Sequence, residues 1–175
     1  MTDYSLRFLA RSSRGPDELA SDFYGRFDGA LSKHMGQLHV SVIADVGDPV
    51  RDAMTVVVAL HDMGIDVVRV DPDLVDASEI ARRLNRSRQN VQQWATGARK
   101  SGFPDPISVV GGKRVWPWAM VLEWARTNVD HDEEPTLSLD DAVLADSHLV
   151  LLRRGNTAEW SAPLVGPSVA TASHS

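Results

Sequence analysis

Arg88, Gln89, Asn90, Gln92 and Gln93 share one short stretch with only two apolar neighbours, Val91 and Trp94. Arginine can pair in a fork with guanine, and asparagine or glutamine with adenine, so this set could read base edges if one helix presented it on one face. Val91 and Trp94, three residues apart, supply the opposite, buried face. Ser87 is a good N-cap for such a helix, and Arg83 and Arg86 add positive charge just before it. Further on, Lys113 and Arg114 directly follow Gly111-Gly112, a pair of cations at the tip of a hairpin. The candidate contact residues are therefore Arg83, Arg86, Ser87, Arg88, Gln89, Asn90, Gln92, Gln93, Lys113 and Arg114. Other chemistry finds little support. The chain has no cysteine, and its six histidines fall in no ligand spacing. Asp71, Asp73 and Asp76 lie where a proline-broken linker and a helix cap account for them. No nucleophile stands beside a base and there is no phosphate loop, so neither an enzyme, a cofactor nor a metal is expected.

The elements needed to position these residues are legible around them. Asp76 followed by Glu79 is a capping-box pattern, and Ile80 with Leu84 forms the apolar side of a short helix from which Arg82 and Arg83 are expected to point outward. Asn85 suits a left-handed turn residue. A second helix, 88–97, then follows after about three residues, the spacing of a helix-turn-helix. Phe103-Pro104-Asp105-Pro106 reads as an extended link to a hairpin over 107–116, a wing. Trp116-Pro117 opens a last helix in which Trp118, Val121, Leu122 and Ala125 recur at helical spacing. The tryptophans are expected to pack in a core rather than stack on single strands.

Around this module the chain divides further. Residues 1–72 read as a small α/β domain: a strand from Tyr4 to Leu9, a helix from Pro16 toward Leu31, a strand over His39–Ala44, a helix opened by Asp48-Pro49, and a strand from Ile65 to Val70. The expected class is α+β, with a three-stranded β-α-β-α-β domain before the winged helix-turn-helix of 73–127. In 128–155 an acidic linker leads into a helix over Ser138–Arg154. Its apolar residues Val143, Leu144, Leu149, Val150, Leu151 and Leu152 call for packing on the N-terminal domain or on a second copy. Residues 156–175, rich in Ser, Ala, Pro and Thr, read as disordered. The formal net charge is -6, which taken alone argues against a nucleic-acid partner. The average hides a segregation: residues 76–126 hold 9 Lys/Arg against 4 Asp/Glu, while 1–75 hold 7 against 12 and 127–175 hold 2 against 8. No apolar run is long enough for a signal peptide or a membrane span, so a cytoplasmic, nucleoid-associated protein is expected.

The string E-I-A-x-R-L-N-x-S-R-Q-x-V-x-Q-W, followed by G-F-P-x-P, a Gly-Gly hairpin and R-V-W-x-W-A-x-V-L-E-W-A, resembles the winged-helix domain of the MerR and AlpA/excisionase group over about residues 73–127. More loosely, Tyr4 to Arg126 is similar to actinobacterial DNA-binding proteins that carry a small α/β domain before this module. The resemblance implies base and phosphate contacts by Arg88, Gln89, Gln92, Lys113 and Arg114. The chain lacks the long dimerisation helix directly after Arg126 and the metal-binding cysteines of MerR sensors. The expectation is thus sequence-specific binding of double-stranded DNA, as a transcriptional regulator or excisionase-like factor working as a homodimer. A second protein could act through the N-terminal domain or the 138–154 helix. The alternative is a protein-interaction module that uses the same scaffold without DNA.

Overall fold

The computed structural model describes residues 3–45 and 47–155, and the expected disordered tail lies outside them. It is an α+β protein with two antiparallel sheets. The first sheet contains β1 (Tyr4–Arg11), β2 (Gly29–His34), β3 (Gln37–Ala44) and β4 (Asp66–Val70) in the order β2-β3-β1-β4, with α1 (Pro16–Tyr24) after β1 and α2 (Pro49–Asp62) after β3. This β-α-β-β-α-β order is the split βαβ arrangement. Alternation decides its faces: Tyr4, Leu6, Phe8 and Ala10 of β1, with Leu38, Val40 and Val42 of β3, are buried with Leu19 and Phe23 of α1 and the apolar side of α2. Asp48 caps α2, its Oδ1 accepting from the N–H groups of Val50 and Arg51 at 3.1 and 3.0 Å.

The expected three-stranded sheet is corrected by β2. Leu19, Phe23, Phe27 and Leu31 recur every fourth residue and imitate a helix running toward Leu31, but α1 stops at Tyr24 and residues 29–34 pair with β3 instead. Gly29 is what this pairing requires, since a Cβ there would lie 2.0 Å from the Ser41 carbonyl oxygen. The turn closes through Met35 and Gly36, both at positive φ.

The second sheet, β5-β7-β6, is formed by β5 (Leu74–Asp76), β6 (Ser108–Val110) and β7 (Lys113–Pro117). It packs with α3 (Ala77–Arg83), α4 (Arg88–Ala95) and α5 (Trp118–Asn128) around a second core containing Ile80, Leu84, Val91, Leu122 and the four tryptophans 94, 116, 118 and 124. β5 corrects the reading of Asp71 to Asp76 as linker and cap alone.

The last helix, α6 (Leu139–Arg153), packs on the first domain, against α2 and β4. Its buried seam corrects the expected one in part, since of the expected residues Leu149 is buried. Ala142, Ala145 and Leu149 face the core, whereas Val143, Leu144 and Val150 are 58%, 50% and 44% exposed. Alanines let the helix axis lie close to its neighbours, so the larger residues are left on the outside. Asp146 secures this docking by accepting from the Val70 N–H at 2.6 Å, and Arg153 donates to the Val67 carbonyl. No helix among the described residues is long and apolar enough to cross a membrane.

Candidate nucleic-acid interface

The candidate interface centres on the turn between α3 and α4. Asp76 caps α3 by accepting from the Glu79 N–H at 2.9 Å, and this bond leads the causes holding its carboxyl below the usual range. Asn85 takes a left-handed conformation, φ 51°, and lets the chain reverse. Ser87 then caps α4, its Oγ accepting from the Asn90 N–H at 3.1 Å. With Val91 and Trp94 buried, the angle of α4 is fixed, and Arg86, Ser87, Arg88, Gln89 and Gln92 are exposed. Asn90 and Gln93, expected on the exposed face, are half-buried instead, and the Gln93 side-chain oxygen is buried without a hydrogen-bond partner among the described residues. Gln93 sits roughly 100° and Asn90 roughly 150° around α4 from the crest formed by Arg88, Gln89 and Gln92, toward the packed side.

Arg83 is the larger correction. It does not point outward: its guanidinium forms a fork with Asp73, 2.6 and 2.8 Å, and its Nε donates to Glu79 at 2.8 Å. The same group lies 4.9 Å from the centre of the Trp118 ring. Burial opposes its charge, yet the bonds to Asp73 and Glu79 outweigh that and raise its pKa. Asp73, only 5% exposed, also pairs with Arg7 of β1 at 3.2 Å, so one carboxylate ties the first sheet to α3. Arg83 thus holds the scaffold rather than facing a ligand. Arg82 does face outward but is engaged by Glu79 through two bonds, 2.9 and 2.6 Å.

The hairpin forms as expected. Gly111 and Gly112 both have positive φ, 55° and 76°, the two-residue turn that only glycine-like residues enter freely, and the ladder extends to Ile107. Arg114 is exposed near the Trp116 ring, whereas Lys113 reaches back to Asp76 at 3.2 Å. Folding brings this tip against α4. Arg88 and Gln92 on one side, and Gly112, Lys113 and Arg114 on the other, line a common cleft of about 140 Å³. Three further cations of the basic segment, Arg99, Lys100 and Arg126, gather with Arg86 and Asn90 on the other flank of α4. Their adjacency in sequence to the second helix and to the end of the last one was the available signal.

No family model, curated protein or solved structure matches this chain. The functional reading therefore stands on the geometry and charge of these residues.

Proposed function

We propose that residues 73–127 are a winged helix-turn-helix of the MerR/AlpA kind and that the protein binds double-stranded DNA in a sequence-specific way. In this reading α4 enters the major groove and the β6–β7 hairpin, the wing, lies over phosphates or the adjacent minor groove. The observation that carries it is the shared cleft: Arg88 and Gln92, separated by one helical turn, lie beside Lys113 and Arg114 although more than twenty residues separate the pairs in sequence. A base-reading pair beside a phosphate-seeking pair is the division of labour that duplex recognition requires. The excess of basic residues in 76–126 supports the same reading, because acidic segments flank them on both sides. The role would be that of a transcriptional regulator or excisionase-like factor, in the cytoplasm with the nucleoid, without an enzymatic step or cofactor, and with a second copy as partner.

A selection of duplexes from a random pool, followed by fluorescence anisotropy of the full chain over a salt series, tests this. Affinity for the selected duplex should fall linearly in log–log form as salt rises, and should exceed that for scrambled DNA by on the order of 10³ or more. Absence of binding to any duplex at low salt would favour the alternative, a protein-interaction module.

A further inference from the structure

On the side of α4 away from the hairpin, the loop after α4 and the C-terminal end of α5 enclose a groove of about 530 Å³. Arg86, Arg99, Lys100 and Arg126 line it, against one lining carboxylate, Asp130. The four cations are not equivalent. Lys100 donates to the Asn128 carbonyl at the end of α5, where carbonyls and the helix dipole favour positive charge, and Arg126 is held to the segment after α5 by Asp132 at 3.8 Å and by the Glu133 carbonyl. Arg86 and Arg99 have no such duty. The Arg86 guanidinium reaches only the carbonyl of its neighbour Asn85, and Arg99 makes no side-chain hydrogen bond or ion pair among the described residues. Elsewhere on this module the arginines of α3 are neutralised by Glu79 and Asp73. Arg86 and Arg99, without a carboxylate partner among the described residues, thus leave this groove with positive charge that an anion can neutralise.

We infer that this groove is a second phosphate-binding flank, which takes the sugar–phosphate backbone of the strand on the far wall of the major groove from the wing. The inference rests on the DNA-binding reading and adds to it. The physical reason is one of size. A helix with its side chains is about 10–12 Å across and the major groove about 12 Å wide, so a helix seated there has a phosphate wall close on each side. Lys113 and Arg114 meet one wall; Arg86 and Arg99, with Lys100 and Arg126 behind them, meet the other. α4 is bracketed, and its register along the groove is fixed from both sides, while the flank itself reads no sequence.

The test uses the full chain and three variants: R86A/R99A, R86K/R99K and R88A. Each is measured by anisotropy on the selected duplex and on a scrambled one across a salt series, with thermal melting to check the fold. R86A/R99A should lower the slope of log K against log salt by about two and weaken both duplexes equally, at an unchanged melting temperature. R86K/R99K should restore most of the slope, because a point charge is sufficient for a phosphate. R88A should reduce discrimination and leave most of the slope. An unchanged slope in a folded R86A/R99A overturns the flank and leaves the DNA-binding reading intact; a larger loss on the selected duplex makes these arginines base readers and overturns it too. Failure of the unaltered chain to bind any duplex overturns both.

Discussion

At the scale of single residues, two arginines five positions apart in sequence have unlike fates. Arg88 is exposed on α4 and has no side-chain partner among the described residues, whereas Arg83 is fixed between Asp73, Glu79 and the Trp118 ring. If Arg88 and Gln92 read bases, replacing either with alanine should cost about 1–3 kcal/mol on the selected duplex and less on scrambled DNA, measured by anisotropy. Equal losses would make them phosphate contacts. Glu79 gives a prediction about pH. Hydrogen bonds from Arg82, followed by those from Arg83, lower its pKa from 4.5 to about 2. A depressed folded-state value means that the ionised carboxylate stabilises the fold fully above about 4.5, and that this contribution disappears as pH falls through about 2. In thermal melts, E79Q should lower the melting temperature at neutral pH and flatten its decline between those values. A decline as steep as that of the unaltered chain would show that these ion pairs do not hold α3.

At the scale of elements, local signals located the second domain well and the first less well. Caps at Asp76 and Ser87, the left-handed Asn85 and the two turn glycines act within a few residues, so α3, α4 and the hairpin could be read directly. The strand β2 could not, since its fourfold apolar spacing imitates a helix and only the close approach to Ser41 on β3 makes it a strand. The hairpin carries its own prediction. Lys113 and Arg114 should supply affinity more than preference, so K113A/R114A is expected to reduce the salt slope by roughly one to two with little change in the selected sequence. Because Lys113 is shared with Asp76, its single replacement should have the smaller effect of the two. An unchanged slope in the double variant would remove the hairpin from the interface.

At the scale of the whole molecule, Asp73 joins the two domains through Arg7 and Arg83, and α6 leaves Val143, Leu144 and Val150 on the surface. A single module buries on the order of 600–1,000 Å² on DNA, the low end for specific recognition, and here acidic segments on both sides oppose the approach. A second copy would raise apparent affinity by roughly 10² to 10⁴ without new kinds of contact. Light scattering at tens of micromolar should therefore give about twice the chain mass. V143D/L144D should halve it and weaken binding; a monomer that still binds one unrepeated site tightly would sink this prediction. The sequence by itself determined what short-range physics sets: the periodicity of α4 and α5, their caps, the glycine turn, and the concentration of positive charge between acidic neighbours. Only the tertiary structure decided which charges remain free. Asp73 lies ten residues from Arg83 and far from Arg7 in sequence, so its claim on both was invisible there. The seam of α6 was hidden likewise, because its apolar residues surround the helix and the choice of the alanine side depends on how closely α2 and β4 approach.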